Sequence, residues 1–235
     1  MTKYKRVLLK LSGEALAGEA GYGIDPDVMK KTAEEVKKVY NLGAEIGIVV
    51  GGGNIFRGLS EHAANMDRVQ ADQMGMLATI MNSIALQNAL ERAGIETIIQ
   101  SAIQMDSIAE PIVTRKAIRH FSKGRVVIFA GGTGNPYFTT DTAATLRARE
   151  INADVIIKAT KVDGIYDSDP MKNKDAIKFD EISYIEVLNR NLRVMDTTAI
   201  SFCMENDMVI GVVNLLKDGE LERFIRGEKT GSVVR

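Results

Sequence analysis

The sequence predicts an α/β fold, a three-layer sandwich around a mainly parallel central sheet, on three observations. Short β-branched runs alternate with longer segments of helical pattern, which implies a mostly parallel sheet with helices on both faces. Glycine-rich turns follow three of those runs, and in an open parallel sheet ligands bind beyond the carboxyl ends of the strands. A hydrophobic share of 45% in 235 residues supplies a sizeable core.

The elements follow in order. The first strand is expected over Arg6–Leu11 and ends in Ser12-Gly13. A helix is expected over 26–42, where Met29, Ala33, Val36 and Tyr40 share one face. Asp25 caps it, Pro26 opens it and Gly43 closes it. A second strand over Glu45–Val50 runs into Gly51-Gly52-Gly53. Residues 67–92 form a long, largely apolar helix ended by Gly94, with Met76, Leu77, Ile80, Met81, Ile84 and Leu86 spread around it. Further strands are expected over 96–100, 125–130, 154–159 and 208–213, and helices over 111–121, 139–152 and 195–206. The polar stretch 163–178 reads as a long functional surface loop. With no internal repeat or low-complexity linker, the expectation is a single domain of two lobes, about 1–153 and about 154–235.

Composition narrows the function. A net charge of −1 with scattered basic residues argues against a nucleic-acid or membrane partner. There is no apolar stretch of membrane-spanning length and no signal-peptide pattern at the N-terminus. The lone Cys203 excludes an intrachain disulfide framework and fits a reducing compartment. His62 and His120 lie far apart, which argues against zinc. The expectation is a soluble cytoplasmic protein with no metal held by protein ligands alone.

The chemistry points to phosphate. The stretch Ala130-Gly131-Gly132-Thr133-Gly134-Asn135-Pro136-Tyr137-Phe138-Thr139-Thr140-Asp141 carries the chain from a strand into a helix N-terminus. Free backbone N–H groups and the positive end of the helix dipole suit an anion there, and Thr133, Thr139 and Thr140 add hydroxyl donors. No G-x-x-x-x-G-K-[ST] occurs, and the G-x-G-x-x-G pattern fails at Phe56 and Tyr137. A P-loop enzyme and a dinucleotide-dependent oxidoreductase are therefore poor fits.

Four motifs together carry a resemblance. Lys10-Leu11-Ser12-Gly13-Glu14-Ala15-Leu16, Gly51-Gly52-Gly53-Asn54-Ile55-Phe56-Arg57-Gly58, Thr133 through Asp141, and Lys158-Ala159-Thr160-Lys161-Val162-Asp163-Gly164-Ile165-Tyr166 resemble the bacterial-type UMP kinases of the amino acid kinase superfamily. The resemblance runs from about Lys5 to Arg235. It implies transfer of the γ-phosphoryl group of MgATP to UMP, in pyrimidine nucleotide biosynthesis, with Mg2+ bound to ATP. It assigns Lys10 and Asp141 to catalysis. It assigns Lys10, Leu11, Ser12, Gly13, Gly53, Arg57, Thr160, Tyr166 and Asp169 to ATP, the last three to adenine and ribose. To UMP it assigns Gly52, Asp72, Thr133, Gly134, Asn135, Pro136, Tyr137, Phe138, Thr139 and Thr140. It further implies a homohexamer, UTP feedback inhibition and GTP activation, the last linked to Gly18, Glu19, Ala20, Gly21, Tyr22 and Gly23.

Plainer readings stand beside these. Lys10 alone would read as a strand-end lysine in solvent, Arg57 as an exposed arginine, and Asp141 as a first-turn residue of its helix. Asp72 enters an apolar face, which demands a partner; the ribose of UMP or a salt bridge to Arg68 would each supply one. Asp196 either caps a helix or adds charge near the ATP lobe, and Lys161 is a candidate phosphate contact. An acyl-phosphate-forming kinase of the same fold and a non-catalytic nucleotide sensor are the alternative functions.

Overall fold

The computed structural model describes residues 2–56 and 66–235. Among these, nine strands form one sheet in the order β4-β3-β5-β2-β1-β6-β10-β11-β9. The central five are β1 (Arg6–Leu11), β2 (Glu45–Val50), β5 (Val126–Ala130), β6 (Val155–Thr160) and β10 (Ile210–Asn214). β3 (Thr97–Ser101) and β4 (Glu110–Pro111) extend one side; β9 (Glu181–Ile182) and β11 (Ser232–Val234) extend the other. Every neighbouring pair is parallel except β10 and β11. A separate hairpin joins β7 (Ile165–Tyr166) to β8 (Lys178–Phe179), so the expected polar loop over 163–178 is bounded by a short antiparallel pair.

Helices cover both faces, as parallel strands buried on two sides require. On one side α1 (Pro26–Asn41), α2 (Arg68–Arg92) and α7 (Glu220–Arg226) pack Met29, Leu86, Leu90 and Phe224 against Leu9, Ile48 and Ile157 of the sheet. On the other, α3 (Thr114–Ser122), α4 (Thr140–Glu150), α5 (Tyr184–Asn189) and α6 (Thr197–Glu205) pack Phe121, Ala144, Val187 and Ile200 against Leu8, Val127 and Ile156. Alternate residues of β1 thus enter opposite cores, the two-residue period of a strand buried on both faces.

The caps behave as their sequences dictate. Asp25 accepts hydrogen bonds from the amides of Asp27 and Val28 ahead of Pro26, and Asp67 accepts from Val69 and Gln70 at the start of α2. Helix α2 buries Met76, Ile80 and Leu86 but leaves Met74, Leu77, Met81 and Ile84 exposed. Its second apolar stripe, at i, i+3, i+7 and i+10, has no cover from the described residues of one copy. No helix among the described residues is long and apolar enough to cross a membrane.

Candidate active site

Strands β1 and β6 are parallel neighbours, and their register sets Lys10 directly beside Lys158. Both side chains leave the sheet on the α4 side, with Leu8 and Ile156 two residues earlier. Asp141, in the first turn of α4, meets both: its Oδ1 lies 2.6 Å from Lys10 Nζ and its Oδ2 3.6 Å from Lys158 Nζ. Lys10 is only 7% exposed, so it is a buried cation at the end of a central strand and not a solvated one. Burial alone would push the Asp141 carboxyl up, but the charges of Lys10 and Lys158 outweigh it and hold the group below its ordinary value of 3.8. Burial takes the Lys158 ammonium below its ordinary value against the opposing pull of Asp141.

The trio is braced from two directions. Thr139 caps α4, its Oγ1 accepting from the Asp141 amide at 3.0 Å, and donates its own proton to Asp196. Asp196 also accepts from Thr142 Oγ1 at 3.0 Å and caps α6 through the Ala199 amide at 2.8 Å. Both readings of Asp196 therefore hold at once: it is a helix cap and a charge beside the trio. Lys158 Nζ donates to the carbonyl of Val194, just before that cap.

Glycine turns enclose the crevice because nothing larger fits. A Cβ on Gly13 would lie 2.7 Å from Gly53 N and 2.8 Å from Gly51 O, so the turns after β1 and β2 touch backbone to backbone. A Cβ on Gly52 would lie 2.8 Å from Gly75 O of α2. In the third turn, Tyr137 takes a left-handed φ of 72°, which a non-glycine residue adopts at a cost. Its amide is held by Asp72 Oδ2 at 2.8 Å, and Arg68 Nε reaches the same oxygen at 2.8 Å. The salt bridge expected as the plain reading of Asp72 is thus present, beside a second duty toward the 131–140 turn.

Two cavities flank the trio. One of about 510 Å³ is lined by Gly52, Gly53, Asp72, Asn135, Phe138, Thr139 and Thr140, with Glu14, Arg68 and Thr79 among its other walls. The other, about 610 Å³, is lined by Lys158, Thr160, Tyr166 and Asp169, with Arg190 and Arg193 at its rim. Both have the size of ordinary ligand sites. Tyr166 donates to Asp163 Oδ1 at 2.6 Å, which pushes the Tyr166 hydroxyl up to about 12. A third cavity, about 620 Å³, lies between α1 and α2 away from the trio.

Lys10 and Asp141 join in the trio, and ten more of the residues singled out by sequence line the two cavities. Lys10 and Leu11 end β1, Ser12 and Gly13 begin the turn after it, and none of the four lines either cavity. Thr133, Gly134, Pro136 and Tyr137 belong to the turn over the first cavity without lining it. The exposed Lys161 and residues Gly18, Glu19, Ala20, Gly21, Tyr22 and Gly23 line neither. Arg57 lies outside the described residues. Sequence reading passed over Lys158, Arg190 and Arg193 as site residues. For Lys158 the available signal was a second lysine, in an adjacent strand, followed within two residues by a small hydroxyl residue as Lys10 is. Among the described residues no three His, Cys, Asp or Glu side chains gather to hold a metal, and Asp141 is already engaged by two ammonium groups.

A model of the amino acid kinase family matches residues 5–214. Among solved structures, the chain is similar to UMP kinase from Bacillus anthracis, with 38% identity, a TM-score of 0.95, and 99% of this chain and 96% of that one covered. It is similar to UMP kinase from Ureaplasma parvum at 37% identity, TM-score 0.91, with 99% of each chain covered. Uridylate kinase from Archaeoglobus fulgidus matches at 27% identity and TM-score 0.71, with 100% of each chain covered.

The trio makes a stability prediction. Asp141→Asn leaves two buried ammonium groups facing each other and should lower unfolding stability by about 3 kcal/mol, the usual loss when one partner of a buried ion pair is removed. Adding Lys10→Met to it should recover part of that loss, because one of the stranded charges goes. Urea unfolding of the two variants checks this; a double variant less stable than Asp141→Asn alone contradicts it. In the unsubstituted chain the depressed Asp141 carboxyl contributes stability above its ordinary value of 3.8, lost as pH falls through the lower folded value.

Proposed function

This chain belongs to the amino acid kinase family, and from that premise we propose that it transfers the γ-phosphoryl group of MgATP to UMP, giving ADP and UDP. The observation that carries the reading is the buried Lys10–Asp141–Lys158 trio between two nucleotide-sized cavities. Whole-chain likeness to two bacterial UMP kinase structures supports UMP as the acceptor. The cavity at Asp72 would take UMP and the cavity at Thr160 and Tyr166 would take ATP, with the Gly52-Gly53 turn between them.

A phosphate oxygen of UMP attacks the γ-phosphorus in line. One P–O bond forms as the bond to the β–γ bridging oxygen breaks, and ADP leaves with that electron pair. The attacking oxygen is already ionised, so no strong general base is needed, and positioning and charge neutralisation supply the catalysis. Lys10 and Lys158 neutralise charge on the migrating group, while Asp141 keeps both ammonium groups aimed. Its depressed carboxyl stays ionised at neutral pH, so it orients and does not take up the proton. The divalent cation enters as part of the MgATP substrate. Asp72 would accept from a ribose hydroxyl of UMP, and the cation-rich rim at Arg190 and Arg193 would face the ATP phosphates.

The same reading proposes a cytoplasmic enzyme of pyrimidine nucleotide biosynthesis, activated by GTP and inhibited by UTP. It also proposes a homohexamer assembled partly through α2, since the stripe Met74, Leu77, Met81 and Ile84 is exposed in one copy. Met81 is 54% exposed, so Met81→Glu should not disturb the subunit core. It should shift the chain to smaller species in light scattering at low micromolar concentration. A wild-type chain that is monomeric under those conditions rules the assembly out.

ADP release measured with UMP, CMP, dUMP, carbamate, aspartate and N-acetylglutamate tests the activity, and UMP should be strongly preferred. In the same assay Lys10→Met should slow turnover by about 10²–10³-fold, as loss of one preorganised electrostatic contact does, with UMP affinity little changed. Asp72→Asn should weaken UMP binding by roughly 1–2 kcal/mol, the scale of a charge-assisted hydrogen bond, and spare ATP binding. Calorimetric UMP titration separates the two; a reversal of the pattern refutes the assigned roles.

A further inference from the structure

Beneath the glycine turn lies a pair of side-chain amides that the reaction above does not use. Asn54 follows the turn and Asn82 lies in the middle of α2, and they are 3% and 0% exposed. They bond to each other reciprocally, Asn54 Nδ2 to Asn82 Oδ1 at 3.0 Å and Asn82 Nδ2 to Asn54 Oδ1 at 2.7 Å. Each donates its other amide proton to a backbone carbonyl: Asn82 to Gly51 at 2.7 Å, Asn54 to Gly23 at 2.6 Å. The Gly23 amide donates back to the Asn54 carbonyl at 2.7 Å.

This arrangement has a single solution. Turning either amide over sets an oxygen against the carbonyl of Gly51 or Gly23, so those two carbonyls fix which atom is nitrogen. An asparagine is a poor choice for a helix interior, and a buried amide is costly unless every group is paired. An apolar pair would fill the space but would leave the two carbonyls without donors. The amides also close off the neighbouring turn, for a Cβ on Gly13 would lie 2.6 Å from Asn54 Oδ1. One hydrogen-bonded unit therefore ties the Gly51–Gly53 turn to α2 and to Gly23, with Gly13 packed against it.

We propose that Asn54 and Asn82 are positioning residues for phosphoryl transfer: their locked amide pair holds the Gly51–Gly53 turn so that the Gly52 and Gly53 N–H groups keep a fixed aim between the two nucleotides, while the Gly51 N–H stays bonded to the Leu11 carbonyl at 2.9 Å. The proposal rests on the UMP kinase reading and deepens it. Neither asparagine touches substrate. They act through the backbone of the turn, and misplacing a reacting group by about 1 Å is enough to slow chemistry on the order of a hundredfold.

The test uses the whole chain and two readouts. Asn82→Asp keeps shape but puts a carboxylate oxygen against the Gly51 carbonyl or the Asn54 oxygen. Amide hydrogen exchange at Gly51, Ile55 and Phe56, whose N–H groups are bonded to the Leu11 and Gly52 carbonyls, should quicken by about tenfold or more as the local opening energy falls. The rate constant kcat should drop by about tenfold to a hundredfold, while calorimetric affinities for UMP and ATP stay within about threefold. Tyr184→Phe is the control: it removes a buried hydrogen bond to the Met208 carbonyl, remote from the turn, and should lower stability without changing either readout. If Asn82→Asp does not fold, Asn82→Ser leaves a small polar gap that water can enter and carries the same two readouts. Unchanged exchange at Gly51, Ile55 and Phe56 overturns the latch whatever the activity. A loosened turn with wild-type kcat overturns its role in catalysis. A wild-type chain that phosphorylates no UMP, together with a turn that loosens in Asn82→Asp, overturns the kinase reading and the catalytic half of this proposal, and leaves the latch itself standing.

Discussion

Two lysines side by side on neighbouring strands of a parallel sheet are a constraint that much of this molecule answers. Register places Lys10 and Lys158 opposite each other, where like charges destabilise a strand pair. One carboxylate relieves the repulsion, and it must come from outside the sheet, so the N-terminus of α4 has to stand over the ends of β1 and β6. Thr139 holds that N-terminus by capping it, and Asp196 holds Thr139 and Thr142 while capping α6. The positions of two helices thus follow from one charge problem. After pairing, the trio still carries one net positive charge in a largely buried place, which prepares it for an anion.

The second constraint is backbone crowding. Three turns bring their main chains to the same crevice, and the spacing between Gly13, Gly51 and Gly53 leaves no room for a Cβ. Close approach exposes backbone N–H groups where phosphate oxygens carry charge, but it also removes the side chains that would hold the turns in place. Support must then come from behind. Asn54 and Asn82 supply it under the second turn, and under the third Thr79 does so through its Oγ1, which accepts from the Gly131 amide at 2.9 Å.

Elements with their own periodicity and caps were legible in the sequence. β1 and β2 were expected over the residues they occupy, and α1 and α2 differ from expectation by a residue at one end. What was not read are the short helices α5, despite its Ser183–Glu186 capping box, and α7, and the pieces defined by partners: β4, β7, β8 and β9, each two residues long, and β11, the short antiparallel strand beside β10. Two residues carry no alternation to detect, so only pairing makes them strands. The site divides the same way. Lys10 and Asp141 draw a catalytic role from the motifs they stand in, whereas Lys158 opens a motif without one, and its place beside Lys10 comes from the register of β6 with β1. Asp72 offered two readings because sequence does not say how many partners one carboxylate can serve; its Oδ2 takes both Arg68 and the Tyr137 amide.

The trio and the cavity at Asp72 are built on different parts of the fold. The trio is built on paired central strands, so altering it disturbs the sheet that both cores depend on. The walls of the cavity at Asp72 come from the N-terminal half of α2, from the 131–140 turn and from the segments after β1 and β2, none of which lies within the sheet. Substitution there alters the lining of that cavity and leaves the strands that carry Lys10 and Lys158 in place. Function of this kind sits in a site grafted onto the scaffold, and the boundary between constant and variable parts runs where the strands end. Asp72 stands at that boundary, fixing the left-handed backbone at Tyr137 from a helix whose opposite stripe faces outward. A single helix therefore carries the carboxylate that holds the Tyr137 amide, the Asn82 support of the glycine turn and an exposed apolar stripe, so the second and third turns are braced from one element.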